Sequence, residues 1–282
     1  MVLYFAGGPG CSGLMGAFVT NGPCRFSTTS ESEPSLNPHS YTEHANVLYI
    51  DQPVPAGFSY GNGTQPRSTK EAAVVVYDFL QLFLERFPSY RGRDVGLFTS
   101  SYGGHYGPEL ARLILERNDG EAVAAGERHE IKLTALAIDN GWFDASIQER
   151  ANIDFAHSNP IRQLINDTLY EEVVESFETT HLPLIEKCAA EGTDEVCSGA
   201  YKSYSQDMEY VILGAWPEGT RSFDIRPGAS DVPSAEEYLA REDVRKAIGA
   251  QKEFDECSWP TGFFDTGDGT SRFPLNLTPA PL

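Results

Sequence analysis

The stretch "LFTSSYGGHYGP" at 97–108 sets two serines side by side at what reads as the exit of a strand. A serine on a strained turn between strand and helix, with small residues two places before and after it, forms a nucleophile elbow, which exposes a hydroxyl for acyl transfer. Ser101 has Gly103 two places on, whereas Ser100 has Tyr102 there, so the spacing selects Ser101. Thr99 stands where the general pattern wants glycine. A second piece is "GGPGCSG" at 7–13, directly after a short apolar run. A glycine-rich turn in that place lets backbone amides approach a developing oxyanion, which acyl transfer requires. The loop has neither the G-x-x-x-x-G-K-[ST] nor the G-x-G-x-x-G spacing, so it does not read as a phosphate cradle.

These two pieces need a frame, and the flanking runs supply one. "VLYF" at 2–5, "NVLYI" at 46–50, "VGLFT" at 95–99 and "LTALAI" at 133–138 read as buried parallel strands. Between the second and third, "TKEAAVVVYDFLQLFLERF" repeats apolar residues at helical spacing until "FP" ends it. After Ser101, "GPELARLILERN" reads as a further helix. The first half is therefore expected to form an α/β, doubly wound, mostly parallel sheet. From about residue 146 the texture turns helical or irregular, as in "LINDTLYEEVVESFETTHLPLIEKC", and reads as an inserted, mainly helical cap. "SAEEYLAREDVRKAIGA" opens with a serine cap and an acidic first turn, a helix start. The expected organisation is a core over 1–145 with the glycine loop and the elbow, a cap over 146–262, and the start of a returning core segment over 263–282.

The 282 residues are 40% hydrophobic and 11% aromatic, which argues for a globular unit of enzyme size. Acidic residues number 41 against 21 basic ones, a formal charge of −20 that disfavours nucleic acid and anionic membrane as partners. No run of 18 apolar residues suggests a membrane span, and Met1 is followed at once by an apolar strand rather than a signal peptide. The five cysteines do not form C-x-x-C pairs, so disulfides are expected rather than zinc. Cys188 and Cys197 bracket a short polar excursion that a bridge could staple, which leaves Cys11, Cys24 and Cys257. Sequons at Asn62, Asn166 and Asn276 join the cysteines in pointing to the secretory route.

In order along the chain, "GGPGCSG", "NGPCRF", "SLNPHSY", "NVLYIDQPVPAGFSYG", "SSYGGHYGPEL" and "IDNGWFD" resemble the serine carboxypeptidase family, above all its fungal secreted branch. "REDVRKAIGA", "ECS" and "FFDTGD" continue the resemblance towards the end. It implies an α/β-hydrolase fold and release of C-terminal residues through an acyl-enzyme, with a peptide or acyl substrate as partner and neither cofactor nor metal. Carried over by position, Ser101 is the nucleophile, and the amides of Gly8 and Tyr102 are the oxyanion hole. Asp51, Gln52 and Pro53 fall in the family's "DQP" segment, which shapes the site. The family's disulfides suggest pairing Cys257 with Cys11 or with Cys24. A secreted or vacuolar full-length form is implied.

Two departures from the family stand out. Its members recognise the substrate's terminal carboxylate with a Trp and an Asn before the glycine pair, a Glu in the following segment, and a Glu immediately before the nucleophile. Here the substrate-recognition positions hold Tyr4, Ala6, Gly7, Thr20 and Ser100, which cannot form a pair of protonated acids around a bound carboxylate. The triad order in this fold is Ser, Asp, His, and no histidine follows His181. His105 sits four residues beyond Ser101 on the following helix, which carries its side chain away from the hydroxyl. Both ends therefore read as cut, with the triad Asp and His outside the chain and an exposed sheet edge expected. The readings left open beside a carboxypeptidase-like hydrolase are an inactive paralogue that only binds ligand, and an esterase or acyltransferase relative.

Overall fold

The computed structural model describes residues 1–29 and 31–258; Asn276 and the expected segment 263–282 lie outside the described residues. Strand β1 (Val2–Phe5) lies at the centre of a parallel sheet, between β4 (Val47–Tyr49) and β5 (Val95–Ser100), with β6 (Leu133–Asp139) beyond β5. Among the described residues, β2 (Cys24–Arg25) and β3 (Ser35–Leu36) form a short antiparallel pair of their own. Apolar runs make these parallel strands because both faces of β1 and β5 are covered, and Leu3, Phe5, Val95 and Leu97 are buried. The outer strands β4 and β6 have no further hydrogen-bonded neighbour among the described residues, and most of β6 is exposed.

Helix α1 (Thr69–Arg86) starts where the sequence supplies a cap: Ser68 Oγ accepts the Glu71 amide at 3.2 Å, and the Glu71 carboxylate accepts the Arg67 amide at 2.8 Å. Its buried stripe is Ala72, Ala73, Val76, Tyr77, Leu80 and Leu84, spaced by three and four. Helix α2 (Gly103–Asn118) packs beside it and buries Leu110, Leu113 and Ile114. Each fully buried aliphatic side chain contributes about 1.5–3 kcal/mol. A short helix α3 (Glu121–Ala124) leads into β6.

Two compact units divide the chain: Met1–Trp142 together with the stretch that begins at Val232, and Phe143–Asp231. The second unit is helical, built from α4 (Ala145–His157), α5 (Asp167–Ser176), α6 (Leu182–Glu191), α7 (Asp194–Lys202) and α8 (Tyr210–Gly214). Ile153, Phe177, Ile185 and Met208 are buried, and Cys188 and Cys197 are bridged. The sequence expectation ran the insertion from 146 to 262, whereas the structure returns the chain to the first unit at Val232. Local texture hides this because the holding contacts are long-range. Leu239 and Phe254 bury against Phe26, and Cys257 is bonded to Cys11.

The helix expected from Ser234 onward is two helices, α9 (Glu236–Ala240) and α10 (Glu242–Ile248). Ser234 Oγ does accept the Glu236 amide at 3.0 Å. Arg241 then turns extended, at φ −60° and ψ 136°, with its guanidinium bonded to Glu33 and, at 2.7 Å, to Asp243. A distant partner, Glu33, thus engages the residue at which a continuous periodic pattern breaks.

Candidate active site

Ser101 is exposed at the tip of β5, and its φ of 57° is a left-handed conformation that costs a non-glycine residue about 1–2 kcal/mol. Such a backbone persists only where its surroundings over-determine it. Here both peptide groups of the residue are held: its amide donates to Asp139 O at 3.1 Å, and its carbonyl accepts the amides of Gly104 and Trp142, each at 2.9 Å. Two places downstream, a β-carbon on Gly103 would sit 2.4 Å from Thr99 Cβ, which is why the spacing demands glycine there. The upstream position tolerates threonine because Thr99 Oγ1 donates to Gly103 O at 2.9 Å. The residue that departs from the general pattern therefore ties the turn together.

The glycine loop lies against this elbow. A β-carbon on Gly7 would come within 2.5 Å of the Tyr102 amide nitrogen and 2.8 Å of Ser101 Cβ. The next residue, Gly8, takes φ 111°, a region open to glycine, and its amide belongs to the peptide that Gly7 places beside Ser101. Tyr102 immediately precedes α2, whose N-terminal end favours negative charge. The two amides expected to face an oxyanion thus flank one serine.

Several contacts fix the loop from behind. The Ser12 hydroxyl donates to the Asp51 carboxylate, whose other oxygen accepts the Phe58 amide at 2.8 Å. Ser12 N donates to Glu256 O at 2.8 Å, Ser258 N to Gly10 O at 3.0 Å, and Gly57 N to Asp255 O at 2.8 Å. Cys11 is bonded to Cys257, while Cys24 is a free thiol, which corrects its place among the bridge candidates. Cys24 lies in β2, in register with Leu36 of β3. Asp51 was legible as part of a site-shaping segment; its bond to Ser12 and the role of residues 255–258 were not, since no local spacing signals them.

On the sheet face opposite α2, a cavity of about 460 Å³ is lined by Tyr4, Thr20, His39, Tyr41, Ser100 and Asp139, with Asn21 and Phe98. Register explains the grouping: Tyr4 pairs with Phe98, and Ser100 with Asp139, so these side chains share one face while Thr99 takes the other. Three expected recognition positions, Tyr4, Thr20 and Ser100, therefore meet in one cavity. Ala6 is buried, and it and Gly7 are not among the lining residues. Beside this group, Tyr49 donates to Asn21 Oδ1 at 2.9 Å, and burial, with Tyr4 and Tyr41 nearby, pushes its hydroxyl up to about 12.

His105 is buried, with its ring 4.7 Å from that of Tyr102 and 5.5 Å from that of Trp142. Burial pushes its imidazole down to about 4, so it is built as a neutral core residue. In the helical unit, His157 pairs with Asp167 at 2.9 Å, and His181 lies between Ser203 Oγ at 2.7 Å and Ser176 Oγ at 3.1 Å. No described histidine is hydrogen-bonded to Ser101. The glycosylation candidates Asn62 and Asn166 are exposed, and Asn166 also caps α5 by accepting the Leu169 amide at 2.9 Å.

A parallel sheet in which an inner strand, β5, ends in a strained, exposed serine before a helix defines an α/β-hydrolase fold. Among solved structures, a prohormone-processing carboxypeptidase, Kex1 of Saccharomyces cerevisiae, shares this fold, with a TM-score of 0.63 over 96% of this chain and 59% of its own, at 22% identity. The family model for serine carboxypeptidases matches residues 1–274, and the chain belongs to that family. It is 37% identical to carboxypeptidase S1 of Penicillium janthinellum over 99% of its length, and 30% identical to carboxypeptidase Y of Saccharomyces cerevisiae, also over 99%. The chain spans 66% and 52% of those two relatives. No described helix is long and apolar enough to cross a membrane.

Proposed function

We propose that the chain acts as a serine-type, carboxypeptidase-like acyl hydrolase with Ser101 as nucleophile. The observation that carries this reading is the exposed, positive-φ Ser101 with the Gly7–Gly8 turn packed against it. Ser101 Oγ attacks the carbonyl carbon of a peptide or acyl substrate, and its proton passes to a general base other than His105. The tetrahedral oxyanion forms opposite the Gly8 and Tyr102 amides, the leaving group departs protonated, and water then releases the acyl group. Residues 143–231 are read as the inserted cap of the family. Two disulfides and the exposed sequons at Asn62 and Asn166 support passage through the secretory route.

The test is to incubate the full chain with a fluorophosphonate probe and locate the adduct by peptide mass spectrometry, alongside release of the terminal residue from N-blocked dipeptides. The adduct is expected on Ser101 and on no other serine. A folded chain that takes up no probe there and cleaves no blocked dipeptide removes this reading.

A further inference from the structure

The cavity beside the elbow has a charge character that constrains what can occupy it. Its lining offers hydroxyls from Thr20, Tyr41 and Ser100, an aromatic wall that includes Tyr4, and one carboxylate, Asp139. It holds no lysine or arginine. The Asp139 side chain forms no ion pair with a described residue, so its charge is not cancelled locally. Asp139 is paired in register with Ser100, the residue before the nucleophile, which sets that charge next to the reaction centre.

An anionic group entering this space gives up water and meets a like charge, a repulsion that strengthens as water is excluded. A neutral carboxamide, ester or alcohol meets the same hydroxyls without that repulsion, and its dipole can be satisfied by donors and acceptors alike. We infer that this cavity selects against a terminal carboxylate and takes a neutral polar group, with Asp139 as the residue that sets the preference. The inference rests on the reading of Ser101 as nucleophile for its place in a reaction. The neutral occupants are the carboxamide of a C-terminally amidated peptide and the alcohol portion of an ester.

Binding can be measured without turnover. The full chain, at pH 8, is titrated with N-acetyl-phenylalanyl-leucinamide and with N-acetyl-phenylalanyl-leucine, followed by ligand-observed NMR. Salt of about 0.15 M limits the influence of the protein's overall negative charge to about 8 Å. The amide is expected to bind about tenfold more tightly than the acid, a difference of about 1.4 kcal/mol. Asp139→Asn should bring the ratio to within about twofold, while Asp119→Asn, exposed at the end of α2 opposite the elbow, should leave it unchanged. Should Asp139→Asn fold poorly, Ser100→Lys supplies the converse test, because an added cation should make the acid the better ligand.

Equal or tighter binding of the acid by the unaltered chain overturns the inference. So does an undetectable amide complex at about 10 mM ligand, where even weak binding registers, and so does a ratio that a folded Asp139→Asn leaves in place. Probe labelling of Ser101 in the same preparations separates the two readings. Lost labelling with the amide preference intact tells against the nucleophile alone, and intact labelling without the preference tells against Asp139 alone.

Discussion

Gly7 and Ser101 approach so closely that any side chain on the first would have to displace the second: a β-carbon there would lie 2.8 Å from Ser101 Cβ. The glycine loop and the nucleophile elbow are consequently one packed unit. Gly7→Ala is expected to destabilise the fold by about 1–3 kcal/mol, the usual cost of forcing an extra carbon into a filled space. Probe labelling of Ser101 should slow by more than the loss of folded protein accounts for. Thermal melts and labelling rates on the same samples check this, and an unshifted melt with unchanged labelling would falsify it.

The two serines of the elbow should separate cleanly. Ser101→Ala should abolish fluorophosphonate labelling, because no hydroxyl remains at the strained turn. Ser100→Ala should retain it, since that side chain lines the cavity. Gel-based labelling with both variants measures the difference.

Removing the Asp51 carboxylate tests the brace behind the loop. Asp51→Ala leaves the Ser12 hydroxyl and the Phe58 amide without their acceptor. Leaving buried donors unsatisfied costs about 1–3 kcal/mol, and the labelling rate of Ser101 should fall with it. Ser12→Ala, which removes only one of the two donors, should have the smaller effect in both urea titration and labelling.

Cys11 and Cys257 join positions separated by 246 residues. Cys11→Ser should lower stability by about 2–4 kcal/mol, read as a fall in the denaturation midpoint. Cys24→Ser should leave the midpoint nearly unchanged, because that thiol is not bridged.

His105 predicts a pH response. Burial holds its imidazole at about 4 in the fold, below the ordinary value of 6.5. Between those two values the unfolded chain binds a proton that the folded chain refuses, so stability rises with pH across that window. The contribution is complete above pH 6.5 and is lost as pH falls towards 4, amounting to about 3 kcal/mol at most. A His105→Phe variant should flatten the acid limb of a stability profile between those limits; an unchanged slope would count against a neutral, buried imidazole.

The four parallel strands, α1 and the elbow were legible because their signals are local: apolar runs, helical spacing, a serine cap and a glycine two places past Ser101. Helix α2 begins at Gly103 rather than at Gly107, since the elbow feeds directly into it. The family resemblance named Tyr4, Thr20 and Ser100, and strand register is what gathers them into one cavity. Three features escaped because their causes lie far apart in sequence. They are the return of the chain to the first unit at Val232, the break at Arg241 engaged by Glu33, and the brace of residues 255–258 on the glycine loop.

Strands β5 and β6 each run out into a non-glycine residue of positive φ, Ser101 at 57° and Asn140 at 46°, and the two turns share hydrogen bonds through Asp139 and Trp142. The pose of the serine hydroxyl is thus inherited from a neighbouring strand end as well as from its own turn. Sequence drift at Asn140 can therefore shift the Ser101 hydroxyl without altering any residue that lines the cavity beside it.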